Sequence, residues 1–270
     1  MPLLMEAVVL GVLQGLTEFW PISSSAHLAV LPQVLHWDSA LLNSRAFDVA
    51  LHAGTLGAVV IYFLDDIRDL TRCWLKSGDN PVLRGNRRLG RRVWLATIPA
   101  VLAALWFDRF AEETFRSLFS IAIALVAGGV VMGVLDLLRR QREDLDRMTN
   151  THALLVGVFQ AFALIPGVSR SGASLTALRA FGFKRPDAAR FAFLMSIPII
   201  AGAVLYEGRD ILGTLSGKEW PVLVAGVASS FLSGWLTIHV FMRLLRRHSL
   251  LVFAVYRVVL GAGIGVWLYF

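Results

Sequence analysis

Two apolar runs in this chain are broken in the same way, and a bilayer tolerates such breaks only under strict conditions. The first run is Gly11-Val-Leu-Gln14-Gly-Leu-Thr-Glu18-Phe-Trp-Pro21-Ile-Ser23-Ser24-Ser25-Ala-His27. The second is Gly157-Val-Phe-Gln160-Ala-Phe-Ala-Leu164-Ile-Pro166-Gly167-Val-Ser169-Arg170-Ser171-Gly172. Gln14 matches Gln160 at an offset of 146 and Pro21 matches Pro166 at 145, so one residue is lost between them. In each, an apolar helix-like stretch meets a proline and then a serine cluster beside a strongly polar group. Backbone broken at membrane depth persists only where protein or a water-filled cavity satisfies its N–H and C=O groups. Paired breaks of this kind point to a polar site assembled from two halves.

The composition implies the membrane itself. The chain is 56% hydrophobic and 17% charged, against about 25% charged in soluble domains. Its mean hydropathy is +0.65. Six stretches read as spans, approximately 47–64, 92–107, 117–138, 188–206, 220–242 and 250–270; crossing the hydrocarbon takes about 20 apolar residues. The regions 3–31 and 152–181 are apolar but split midway, and neither half spans alone, so they read as re-entrant hairpins. The first residues lack a positive n-region and Glu6 falls early in the apolar stretch, so no cleavable signal peptide is expected. The single cysteine, Cys73, excludes an internal disulfide. It falls in the longest polar segment, 65–91, which its Gly and Pro punctuation makes a loop.

Basic residues set the orientation. With the loops 65–92, 139–151, 182–190 and 243–249 on the cytoplasmic side, 18 Lys and Arg face the cytoplasm and 5 the opposite side, and Arg170, Arg179 and Arg257 lie within apolar segments. That split follows the positive-inside rule. It accounts for a net charge of +7 without nucleic-acid binding, which is not expected. The repeat continues in Phe47 with Phe191 and Tyr62 with Tyr206, both at offset 144. The expected fold is therefore an all-α integral membrane protein, a single membrane domain over 1–270 made of two repeats, about 1–138 and about 150–270. Each half is one re-entrant helix hairpin plus three transmembrane helices. Three is odd, so the second half enters with inverted topology. Inverted repeats place discontinuous helices at the midplane, with their positive N-termini aimed at anionic groups.

The polar residues in these segments carry the chemistry. Glu18 shares a helix face with Gln14, four residues earlier, and an acid at this depth is a functional candidate by default. It can hold a metal ion, orient a water, position His27, or serve as a hydrogen-bonded structural carboxylate. A helix restarting after Pro21 takes Ser23, Ser24 or Ser25 as its cap, and such a terminus favours phosphate. His27 falls one turn after Ser24, which allows a base-assisted hydroxyl nucleophile or acid/base work on a phosphate ester; capping plus a structural histidine is the plain alternative. Arg170, between Ser169 and Ser171 with Gly167 freeing the backbone, needs an anionic partner, and its forked donors suit phosphate. An ion pair with Glu18 meets the same need. No G-x-x-x-x-G-K-[ST] phosphate loop is present. Asp48, His52 and Thr55 recur at helical spacing near the outer end of the first span, and either line the mouth of the site or pack quietly. Tyr256 and Arg257 support the anion site from the last span, and Arg179 snorkels to the interface.

Together, Gln14-x-x-x-Glu18-Phe-x-Pro21-x-Ser-Ser-x-x-His27 and Pro166-Gly-Val-Ser-Arg170-Ser-Gly resemble the two signature motifs of the undecaprenyl-diphosphate phosphatase family, also known for bacitracin resistance. The resemblance extends to the Phe-Asp48-Val-Ala-Leu stretch and to Val-Tyr256-Arg257. That family admits Glu or Gln at the position of Gln14, and this chain has Gln. The resemblance implies a bacterial inner-membrane enzyme that removes the terminal phosphate of undecaprenyl diphosphate, yielding the monophosphate carrier lipid for peptidoglycan. It implies Glu18, Ser24, His27 and Arg170 as functional residues, assisted by a divalent cation, Mg or Ca, with Glu18 and Gln14 the candidate ligands. Ser23, Ser25, Ser169, Ser171 and Gly167 would bind the substrate phosphates at a site opening to the periplasmic face. Gln14, Asp48, Thr55 and Arg257 would support it. Either Ser24 or a water is the nucleophile, and a homodimer is left open. A carrier that flips polyprenyl phosphate is the alternative, because paired broken hairpins are also a transporter architecture.

Overall fold

A computed structural model of the protein describes residues 3–76, 80–115, 117–139, 141–214, 217 and 219–270. Arg116, Arg140 and Lys218, counted in the charge bias above, lie outside them, as do the side chains of Arg45, Arg109 and Arg209. The described chain is helical, and its helices run α1 Leu3–Phe19, α2 Ser24–Val34, α3 Arg45–Tyr62, α4 Leu64–Leu75, α5 Pro81–Phe115, α6 Leu118–Leu138, α7 Asn150–Ala161, α8 Arg170–Ala180, α9 Arg185–Thr214, α10 Trp220–Leu244 and α11 Leu251–Tyr269. Five of these are long and apolar enough to cross a membrane, and a sixth span is counted if α3 and α4, bent by 71° at their junction, are taken together. The protein is a multi-pass membrane protein. All six expected spans fall on helices, α3, α5, α6, α9, α10 and α11.

Each broken run forms a helix, a short non-helical break and a second helix. In the first, α1 ends at Phe19 and α2 begins at Ser24. In the second, α7 passes through a 3-10 turn, Phe162–Leu164, before α8 begins at Arg170. Pro21 lies just past the end of α1, and Pro166 keeps the residue before it, Ile165, extended after the 3-10 turn.

Close backbone approach determines how the first helix of each run docks. α1 packs on α10 and α7 on α5. A Cβ on Gly11 would lie 2.3 Å from Gly226 O, and one on Gly15 would lie 2.5 Å from Gly234 N. A Cβ on Gly157, at the position matching Gly11, would lie 2.3 Å from Ala96 O. In lipid, small residues at a seam replace the hydrophobic drive with van der Waals contact. α11 lies along α6, and α3 sits between α9 and α10.

Within the polar segment 65–91, residues 65–75 and 81–91 are helical where a loop was expected. α4 fills its first part and α5 starts at Pro81. The charges suggested a loop, but they are spaced for a helix: Arg68 pairs with Asp65 at 3.2 Å, while Asp66 on the same helix pairs with Arg190 of α9. Cys73 is buried in this helix, not in a loop. Arg87 closes the helix end, donating to Cys73 O at 2.8 Å and Lys76 O at 2.7 Å.

Arg179 likewise does not snorkel. It is fully buried, and its Nε donates to Asp136 Oδ1 at 2.7 Å. Arg185 binds the same carboxylate through Nη2 at 2.8 Å, and Leu250 N donates to it at 2.9 Å. Asp136 of α6 thus joins the end of α8, the start of α9 and the start of α11. A buried guanidinium requires such a partner.

Two outcomes follow for thermal unfolding in detergent. Gly157→Val forces α7 off α5 and costs about 1–3 kcal/mol, whereas Gly202→Ala, inside α9 with nothing within 4 Å of its Cβ, does not lower the midpoint. Asp136→Ala strands two guanidiniums, and loss of one partner of a buried pair costs about 3–5 kcal/mol.

Candidate active site

The two breaks meet at Glu18. Its side chain sits at the end of α1 and is 6% exposed. Arg170, the first residue of α8, donates through Nη2 to Glu18 Oε1 at 2.6 Å. Glu18 Oε2 accepts from Ser24 Oγ at 2.6 Å and from Gln14 Nε2 at 3.1 Å. His52 Nε2 lies 3.5 Å from the same oxygen. One carboxylate therefore gathers groups from α1, α2, α3 and α8. A second link runs the other way, as Ser171 Oγ donates to Trp20 O at 3.0 Å.

The helices that start at the breaks are capped alike. Ser23 is the N-cap of α2 at φ 73°, and Ser169 is the N-cap of α8 at φ 70°. Each side chain accepts from the backbone three residues on, from Ala26 N at 3.4 Å and from Gly172 N at 3.1 Å. Each hydroxyl also contacts the serine two residues on, Ser23 with Ser25 at 3.1 Å and Ser169 with Ser171 at 3.2 Å. Non-glycine residues at positive φ are strained, and such strain persists only where the surroundings over-determine it. The positive ends of two helices thereby point into one polar region.

Ser24 and His27, one turn apart, have separate partners. The Ser24 hydroxyl goes to Glu18, whereas His27 Nδ1 lies 2.7 Å from Ser23 O and Nε2 lies 2.7 Å from Tyr256 Oη. The break turns the chain so that the residue six positions back faces Ser24.

Of the supporting residues, Arg257 donates through Nη2 to Val168 O at 2.9 Å, Gly167 O at 3.1 Å and Ala124 O at 3.3 Å. It holds the second break open at the carbonyls. Gly167 sits there at φ 97°, and a Cβ on it would lie 2.7 Å from Ile121 O. Asp48 lines a cavity of about 610 Å³ beside Ser25 and Pro166. Its backbone oxygen accepts from His52 Nδ1 at 2.7 Å. Thr55 is buried, donates to His52 O at 3.0 Å and packs near Gly234 on α10. His52, singled out only as one of a helical trio, is the member that reaches the carboxylate.

Among the described residues no group of three His, Cys, Asp or Glu forms a metal cluster. The donors that fit a hard cation are oxygens: the Glu18 carboxylate and Gln14 Oε1, which is buried with no hydrogen-bond partner. Magnesium is commonly held by one or two carboxylates plus substrate phosphates, so this sparse set suits a cation brought together with a phosphate.

The account of Arg257 has a direct check. Arg257→Met leaves buried carbonyls at the second break unpaired, a loss of about 1–3 kcal/mol, and should lower the thermal midpoint in detergent. The exposed Arg246→Met should leave it unchanged.

The sequence profile of the bacitracin resistance protein BacA family matches residues 7–263. Curated relatives align end to end. The undecaprenyl-diphosphatase of Hahella chejuensis is 43% identical over 265 residues, 98% of either chain. Undecaprenyl-diphosphatase 2 of Stutzerimonas stutzeri is 44% identical over 265 residues, 96% of either chain. The undecaprenyl-diphosphatase of Alcanivorax borkumensis is 42% identical over 263 residues, 97% of this chain and 98% of its own. With both broken runs inside the matched span, this chain belongs to the bacitracin resistance protein BacA family.

Proposed function

We propose that this protein hydrolyses undecaprenyl diphosphate to undecaprenyl phosphate and inorganic phosphate, recycling the carrier lipid for peptidoglycan synthesis. One observation carries the reading: a partly buried guanidinium, a buried carboxylate and a serine hydroxyl meet at 2.6 Å contacts where two capped helix starts converge. An arginine fork and helix N-termini suit phosphate, and a hydroxyl aimed at a carboxylate is a poised nucleophile.

In the substrate-free protein Arg170 is paired with Glu18. An entering diphosphate takes over the guanidinium, with Ser23, Ser25, Ser169, Ser171 and the backbone near Gly167 around it. Glu18 is then released to act as base. Ser24 Oγ attacks the terminal phosphorus and its proton passes to Glu18 Oε2. The bridging P–O bond breaks, and its electron pair leaves with the lipid monophosphate. Water then attacks the phosphoserine as His27 takes its proton; the P–Oγ bond breaks, Ser24 Oγ recovers its proton from Glu18, inorganic phosphate departs, and His27 returns its proton to solvent. Arg170 stabilises the charge on the transferring group. A divalent cation, Mg or Ca, held by Glu18 and Gln14 Oε1, would neutralise diphosphate charge.

The topology belongs to the same proposal. The two halves, about 1–138 and 150–270, are inverted repeats, and α1–α2 and α7–α8 are re-entrant hairpins entering from opposite faces of the bacterial inner membrane. The matched roles of Gly11 and Gly157, and of Ser23 and Ser169, support it; each pair is 146 residues apart. The swapped docking of α1 on α10 and α7 on α5 supports it too. The basic ends face the cytoplasm, and the site opens to the periplasm.

Purified protein in detergent should release phosphate from a polyprenyl diphosphate, and a pure carrier would not. Arg170→Ala should lower turnover by about 100-fold or more; an unchanged rate contradicts the clamp. Rapid acid quench should trap phosphate on Ser24, and near-normal turnover by Ser24→Ala removes the covalent step. A thiol placed after Phe270 should react with an impermeant reagent from the periplasmic side; protection there reverses the orientation.

A further inference from the structure

His27 is held at both ring nitrogens, and the partners differ in kind. Nδ1 lies 2.7 Å from the Ser23 carbonyl oxygen. A carbonyl only accepts, so Nδ1 carries the hydrogen. In the neutral ring Nε2 is then the lone-pair nitrogen, and the Tyr256 hydroxyl, 2.7 Å away, donates to it. The two rings lie parallel, with centroids 5.7 Å apart and planes 4° apart. Having donated its hydrogen, the Tyr256 hydroxyl keeps lone pairs with which to accept, and the residue is 43% exposed. It stands next to Arg257, which is tied to the second break, so α11 is anchored where it meets His27.

Nε2 is thus the acting nitrogen of His27, and it is covered by Tyr256. Ser24 does not need it, because its own proton has a 2.6 Å path to Glu18. This leaves the histidine free for the second proton of the reaction, that of the water releasing phosphate.

We propose that Tyr256 both holds the ring plane of His27 and relays the proton of the attacking water to Nε2 through its phenol hydroxyl. The inference rests on the hydrolase reading above. The phenol gives its proton to Nε2 as its oxygen receives one from the water, the hydroxide adds to phosphorus, the P–Oγ bond to Ser24 breaks with Oγ protonated by Glu18, and His27 then returns its proton to solvent, so Tyr256 ends unchanged. The pair acts as one unit.

Two measurements test this, and the first needs no turnover. In 15N spectra of histidine-labelled, substrate-free protein, with the His27 signals assigned through His27→Asn, Nδ1 should be the protonated nitrogen. The Nε2 signal should move in Tyr256→Phe, which keeps the ring stack and loses the hydroxyl. A protonated Nε2, or an Nε2 signal unmoved by the substitution, overturns the proposal even if the protein proves not to be a hydrolase. In phosphate release, Tyr256→Phe should lower kcat about 10- to 100-fold with KM within about twofold, since a positioned proton carrier contributes about 10²–10⁴. In the residual rate of His27→Ala the same substitution should have no further effect, because groups that act as a unit are not additive. A raised KM with kcat intact would mark a lipid contact instead, and an undiminished factor in the His27→Ala background would mark an independent role; either result defeats the inference.

Discussion

The ion pair between buried Glu18 and partly buried Arg170 is the constraint on which the rest of this molecule depends. Neither charge is readily taken out of water alone, and each comes from a different broken run. Their 2.6 Å contact can form only if α1 and α8 end and begin at the same place. That requirement explains the glycine seams that bring α1 against α10 and α7 against α5. It also explains why two serines are kept at positive φ, since the strained caps turn each chain so that its polar residues face inward.

Around this pair the remaining polar residues form two anchors. Arg257 ties α11 to the carbonyls of Gly167 and Val168, and Asp136 ties the far end of α8 to α9 and to the start of α11. Arg170 therefore sits at the near end of a helix fixed at both termini. On the proposed reading, preorganisation of this kind would let the site hold a phosphate without reorganising when charge develops. The substrate-free pairing with Glu18 keeps the guanidinium satisfied until an anion arrives.

Much of this was legible in the sequence because the breaks carry their own signals. Proline, serine and glycine mark where the helices stop and restart, and a carboxylate and a guanidinium inside apolar runs announce themselves. What stayed hidden depends on distant partners. Asp136 and Arg179 are 43 residues apart, and His27 and Tyr256 are 229 apart, so no local spacing reveals either pair. Helical spacing also suggested that Ser24 faces His27, yet the turn between α1 and α2 presents it to Glu18, six residues back. The α4 segment read as a loop because its acids and bases lower its average hydropathy, although they pair along and beyond the helix.

The central claim is that Glu18 and Arg170 join the two breaks, and a stability cycle on the substrate-free protein tests it most directly. Thermal or denaturant unfolding in detergent is compared for Glu18→Gln, Arg170→Met and the double variant. Stranding one buried charge costs about 3–5 kcal/mol, whereas removing both leaves no charge unpaired. The account predicts that the double variant is more stable than either single one. Losses that simply add would show that the two residues do not hold each other, and the joined site would have to be abandoned.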